Sequence, residues 1–264
     1  MSITLHLGER YLPGQSLLHR LDARTKVVGT LAFVFAISLT PTGQWSAFGM
    51  LALIVVAATA AGRLSPLLVL RRSALALPFL IVAVPLLFTK AGDELFTVPA
   101  LFWRWTATDN GLVAMGTVLS KSLLSVGAAV ILTATTSPLA LLRALRGLGV
   151  PRIIVATVLF MYRYLFVIGE EALRLLRARD SRSARVGRQS GGSLPWRAKV
   201  LGNMVGSLFL RSYERGERVF DAMAARGFNG ELRSHSEPVM THTDWLALVL
   251  LMALLVGVQT YVRL

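Results

Sequence analysis

The chain has 264 residues, 54% of them hydrophobic and only 16% charged, with a mean hydropathy of +0.60. A soluble domain of this length carries about 25% charged residues, so a soluble globular enzyme is disfavoured. The net charge is nevertheless +14, and the absence of cysteine excludes disulfides, thiolate metal sites and thiol catalysis. Greasy and basic together point to an inner-membrane protein with a large basic region on one side.

Residues 1–20 are mostly polar and lack the charged start, apolar stretch and cleavage site of a signal peptide, so the first apolar run is expected to be retained. That run, 27–39, closes at the turn Pro41-Thr42-Gly43. The second, 45–61, stops at Gly62-Arg63. The third, 74–88, contains Pro78 and Pro85, which a span tolerates where neighbouring helices satisfy the freed carbonyls. The fourth covers 111–134 and the last 245–262.

Lys and Arg placement predicts orientation. Arg10, Arg20, Arg24 and Lys26 precede the first span, and Arg63, Arg71 and Arg72 follow the second. The 89–110 loop holds Lys90 and Arg104 against Asp93, Glu94 and Asp109. The N-terminus is therefore expected in the cytoplasm, and the 89–110 loop and the C-terminus outside. A further apolar run, 153–168, is flanked by arginines at both ends and contains Tyr162-Arg163-Tyr164. One crossing would strand a basic cluster outside, so it reads as an amphipathic helix at the membrane rather than a span.

The expected fold is an all-α integral membrane protein with about five spans. It divides into an N-terminal membrane part (1–134), a long cytoplasmic arm (135–243) and a last span (244–264). The arm carries 17 of the 28 Lys and Arg residues. Its first helix starts at Ser137-Pro138 and breaks at Gly149-Val150-Pro151. The second runs over about 151–188, and Gln189-Ser190-Gly191-Gly192-Ser193 interrupts it. The third runs over about 194–226, with Val200, Met204, Leu208, Val219 and Met223 near one face, and ends at Gly227. Three readings of the arm are open: a basic surface for anionic lipid, a docking surface for an acidic cytoplasmic protein, and a nucleic-acid arm. The last is disfavoured because no aromatics interleave with the basic run.

No active site is visible. The nearest approach to a phosphate-binding loop, Gly116-Thr117-Val118-Leu119-Ser120-Lys121-Ser122, lacks the glycine before lysine and lies in a span. His6, His19, His235 and His242 have no metal-ligand spacing. Lys121, inside the fourth span, is either a functional intramembrane charge or a cation satisfied by a neighbouring helix.

Two segments carry a resemblance. Leu176-Arg177-Ala178-Arg179-Asp180-Ser181-Arg182 and Asp221-Ala222-Met223-Ala224-Ala225-Arg226-Gly227-Phe228-Asn229-Gly230 resemble the paired Ala-Arg-x signatures of the T component of energy-coupling factor (ECF) transporters. His19-Arg20-Leu21-Asp22-Ala23-Arg24-Thr25-Lys26 is similar to that family's N-terminal motif, and the 137–151 segment to its first coupling helix. The order of elements matches over nearly the whole chain, and the cobalt/nickel uptake type is the most similar subgroup.

The resemblance implies a non-catalytic scaffold. Its coupling helices dock into two cytoplasmic ATPases, which bind ATP and Mg. It also holds a membrane substrate-binding S component that topples during the ATP cycle and carries the cobalt or nickel ion. A small accessory membrane subunit belongs to the same assembly, and the chain itself binds no cofactor or metal. The signature arginines map to Arg179, with Ala178 and Asp180, and to Arg226, with Ala225 and Gly227. Asp180 departs from the small residue common at its position, and Arg177 and Arg182 compete with Arg179 for the first docking role. His19, Asp22 and Arg24 are secondary candidates, with Asp22 equally a helix N-cap. The alternatives are a lipid-acting membrane enzyme with a headgroup-binding arm, and a vitamin-type T component.

Overall fold

The computed structural model describes residues 11–74, 78, 83–89, 94–100, 103–182, 193–230 and 240–263. Its helices are α1 (Leu17–Arg20), α2 (Ala23–Leu39), α3 (Trp45–Ala61), α4 (Pro66–Ser73), α5 (Leu86–Thr89), α6 (Asp109–Thr135), α7 (Pro138–Gly147), α8 (Arg152–Arg182), α9 (Leu194–Ala225) and α10 (His242–Arg263). Of the third predicted span, residues 75–77 and 79–82 lie outside the described residues.

Helix starts follow the local chemistry. Asp22 caps α2 by accepting the Arg24 N–H at 2.8 Å. Ser137 caps α7 by accepting the Ala140 N–H at 3.3 Å, with Pro138 in the first helical position. α2 and α3 have 17 residues each, about 26 Å at 1.5 Å per residue, slightly short of an ideal span. α6, α8 and α10 are long and apolar enough to cross a membrane. Length and composition therefore qualify α8 as well, although its flanking charge reads as interfacial.

The 89–110 loop is more structured than its sequence suggested. Glu94–Ala100 (β1) pairs antiparallel with Trp103–Thr108 (β2), from Glu94 opposite Thr108 to Ala100 opposite Trp103, with a bulge between Glu94 and Phe96. The segments Phe96-Thr97-Val98 and Trp103-Arg104-Trp105-Thr106 are rich in β-branched and aromatic residues, which fit a pleated ribbon better than a loop.

The described residues form two compact units. One comprises those of 10–148 and 237–264, and the other those of 149–236. The first arm helix, α7, thus belongs with the membrane helices and packs on α2. There the Arg24 side chain lies so close to Gly147 that a methyl group on Gly147 would overlap its guanidinium.

The core of this unit joins Phe33, Ala36 and Ile37 of α2 with Ala47 and Leu51 of α3 and Leu255 and Val258 of α10. A second cluster joins Leu64 and Val69 to Val130, Ile131 and Ala134 of α6. Polar contacts add direction to this packing. Gln259 Nε2 donates to the Ala36 carbonyl at 2.6 Å, and Lys121 Nζ donates to the Ser38 carbonyl at 3.0 Å.

One end of the unit is tied by Asp244, buried at 4% exposure. Its Oδ1 accepts the Asp22 N–H and its Oδ2 the Thr241 N–H, each at 2.8 Å. The second contact is the backward half of a capping box, Thr241-His242-Thr243-Asp244, at the start of α10. The first fastens α10 to α2 across 222 residues of sequence. Nearby, Lys26 Nζ donates to the Thr135 carbonyl at the end of α6, 3.2 Å away.

Asp244→Ala would leave two backbone donors unpaired, so we expect a loss of about 2–4 kcal/mol. Asp244→Asn keeps only one acceptor oxygen and should fall between wild type and alanine. Thermal unfolding in nanodiscs measures the order, and an unchanged Asp244→Ala midpoint contradicts it.

Candidate docking surface on the arm helices

α8 and α9 form their own unit and run antiparallel. Arg211 Nη1 of α9 meets Glu171 Oε1 of α8 at 3.0 Å, while Phe228, just past α9, stacks edge-on against Phe160 at 6.2 Å between centroids. Rising numbers on α8 therefore face falling numbers on α9. The half-buried residues of α9 include Val200, Met204, Leu208, Val219 and Met223, which are the apolar face read from the sequence. Val205, Phe209, Tyr213 and Phe220, flanking that face, are exposed.

Arg226 stands at the end of α9, exposed, as the C-cap residue. The chain leaves the helix through a Schellman turn. The Gly227 N–H donates to the Ala224 carbonyl at 2.9 Å and the Phe228 N–H to the Met223 carbonyl at 3.0 Å. Gly227 has φ +78°, a left-handed conformation that a Cβ would strain. Ala225 is exposed as well, so nothing bulky beside Arg226 blocks a partner.

Arg179 lies near the other end of the pair, in the last turn of α8. Its Nη2 meets Asp180 Oδ1 at 2.7 Å, and both side chains are partly solvated, at 38% and 45% exposure. A pair this open is worth little and exchanges readily for another carboxylate. Ala178 is exposed beside it. Arg177 turns back to donate to the Leu173 carbonyl at 3.2 Å, and Arg182 is exposed.

The N-terminal candidates all have partners within the chain. His19 Nε2 faces the Leu12 carbonyl at 2.9 Å and must carry the proton, because a carbonyl only accepts. Nδ1 then accepts the Ser16 hydroxyl at 2.6 Å. The imidazole thus braces the segment that the Leu12 N–H attaches to the Ala134 carbonyl at 3.0 Å. Asp22 caps α2, and Arg24 lies on Gly147. These residues join helix ends to one another. Among the described residues, no group of three His, Cys, Asp or Glu side chains converges as a metal-ligand set.

Sequence reasoning passed over Asp244. Its signal was present, since Thr-x-x-Asp before an apolar run announces a capping box, but its second bond to Asp22 had none. Arg163 was read as the charge inside the 153–168 apolar run, and Arg215 and Arg218 as part of the basic charge of the arm. The fold gathers them around a cleft with Arg226.

A family model described as cobalt transport protein matches residues 14–237. The chain belongs to the cobalt transport protein family. Its sequence is 30% identical over 271 residues to the energy-coupling factor transporter transmembrane protein of Acidaminococcus fermentans, covering 97% of this chain and 96% of that one. It is 32% identical over 253 residues to the protein of that name from Heliobacterium modesticaldum, with 90% of each chain covered. A third relative so named, from Brevibacillus brevis, is 29% identical over 232 residues, covering 84% of each. The membrane helices, the arm and these relatives make the chain a T-type transmembrane component of an ECF transporter.

Gly227→Ala keeps Arg226 but puts a Cβ into the left-handed position. We expect a local cost of about 1 kcal/mol, with faster hydrogen exchange at the Gly227-site and Phe228 amides and normal membrane insertion. Unchanged exchange there would contradict the capping role.

Proposed function

We propose that this T component transmits closure of two cytoplasmic ATPase subunits to a substrate-binding S component of a cobalt or nickel importer. Arg179 and Arg226 act as the docking residues. The observation that carries this reading is their placement on the antiparallel pair. Arg226 lies beside the Phe160 end of α8, and Arg179 lies 19 residues further along α8, about 28 Å at 1.5 Å per residue. That separation suits two subunits rather than one. Guanidinium stays charged and binds a carboxylate through two parallel hydrogen bonds, a geometry lysine lacks. Ala178 and Ala225 let a partner surface approach each arginine.

The chain itself carries no catalysis in this reading. ATP and Mg belong to the ATPases, the metal ion is cargo held by the S component, and a small accessory membrane subunit completes the assembly. α8 lies along the inner membrane rather than crossing it. With five spans, the N-terminus and the arm are cytoplasmic and the C-terminus outside. The family description of cobalt transport favours metal over vitamin cargo.

Co-expression with the neighbouring ATPase and membrane subunits tests the reading. Wild type should retain the ATPases after gentle solubilisation and support uptake of labelled cobalt or nickel. Arg179→Glu with Arg226→Glu should abolish both while inserting normally. Normal uptake by the inserted double variant would overturn the docking assignment.

A further inference from the structure

Beside Arg226 the two arm helices enclose a cleft of about 450 Å³. Arg163 and Tyr164 line it from α8, and Arg215, Arg218 and Arg226 from α9 and its cap. Its apolar lining includes the half-buried side chains of Phe160, Val219 and Met223.

Four arginines therefore line one cleft, contributed by opposing helices. Among the described residues, Arg163, Arg215 and Arg226 make no ion pair, and Arg218 has only a loose one to Glu214 at 3.9 Å. Compare Glu171 on the same pair of helices, which holds Arg174 at 3.2 Å and Arg211 at 3.0 Å. At that crossing a carboxylate serves two arginines, whereas at the cleft, among the described residues, three of the four arginines have no ion pair. Like charges facing across a partly apolar cleft repel, and the low local polarity strengthens both that repulsion and the attraction of any anion that enters. The arrangement is complete except for negative charge.

We infer that this cleft receives a carboxylate-bearing segment of the ATPase that docks at Arg226, and that its entry sets the spacing of α8 and α9. The inference rests on the docking reading above and adds two things to it. First, the contact is mutual, because the arm presents a receptor as well as a protruding arginine. Second, docking has a mechanical consequence. The inserted carboxylates cancel the repulsion between Arg163 on α8 and Arg215, Arg218 and Arg226 on α9, and so clamp the helices together. An acidic protein segment fits better than a lone small anion, because four separated guanidiniums offer more donors than one carboxylate or phosphate can use.

The test uses the full complex. Arg163→Gln, Arg215→Gln and Arg218→Gln are combined, leaving Arg226 in place. ATPase affinity should fall about 100-fold, with a shallower dependence on salt, whereas the triple Lys variant should recover part of it. The chain contains no cysteine, so spin labels at Glu170→Cys and Glu217→Cys, exposed positions at one level of the antiparallel pair, report the α8–α9 spacing. Adding the ATPase should narrow and shorten the distance distribution in the Arg protein and leave it broad in the Gln triple.

An unaltered affinity in a folded triple variant that still loses the ATPase on Arg226→Glu would overturn the inference and leave the docking reading intact. If wild type itself holds no ATPase, the docking reading fails first. A triple variant with normal ATPase affinity but reduced binding to phosphatidylglycerol vesicles would reassign the cleft to lipid headgroups and overturn the proposal. So would a spin-label distance that ignores the ATPase.

Discussion

A single buried carboxylate holds the helix ends of the membrane unit in register. Asp244 gives one oxygen to the start of its own helix and the other to the backbone of Asp22. Asp22 in turn caps α2. Lys26, one turn further on, reaches the end of α6. Three helices distant in sequence are thereby aligned at one level, where free N–H and C=O groups would otherwise be left without partners. The apolar contacts deeper in the unit are non-directional and tolerate sliding; hydrogen bonds at the helix ends do not. The membrane-side scaffold gains its definite geometry here.

The N-terminal motif takes its meaning from that frame. In the sequence His19, Asp22, Arg24 and Lys26 stand out as the stretch resembling the family's N-terminal motif, with Asp22 equally a helix N-cap. In the structure they brace, cap, pack and tether. Arg24 against Gly147 brings the first arm helix onto α2, so movement of α7 would pass directly to a membrane helix. These links are short, polar and geometrically fixed.

The arm is built on the opposite principle. α8 and α9 carry large apolar residues exposed to their surroundings and, among the described residues, leave Arg163, Arg215 and Arg226 without an ion pair around a cleft. Surface of this kind is incomplete alone and fits a partner-dependent element. The Schellman turn at Gly227 keeps the end of α9 short and sharp, which holds Arg226 at the rim instead of trailing on a frayed helix.

Much of this was legible in sequence. Apolar runs, proline and glycine punctuation and capping residues act locally, so the helices, the Ser137-Pro138 start and the Gly227 stop could be read without tertiary information. The stripe through Val200, Met204, Leu208, Val219 and Met223 is a matter of helical periodicity, and it is the half-buried stripe of α9. The pairing of 94–100 with 103–108 was missed because these β-rich segments lie within a stretch read only for charge. Juxtapositions distant in sequence left no local trace: Asp244 with Asp22, 222 residues apart, and Arg163 with Arg215, Arg218 and Arg226 around one cleft. The sequence by itself determined where the long apolar and arm helices run, which face of α9 is apolar and where the positive charge is concentrated, because those depend on nearest neighbours and composition; the short helices α1 and α4 were not read. Only the tertiary structure decided which charges are neutralised and which stand bare, because that depends on which side chains meet after the helices pack.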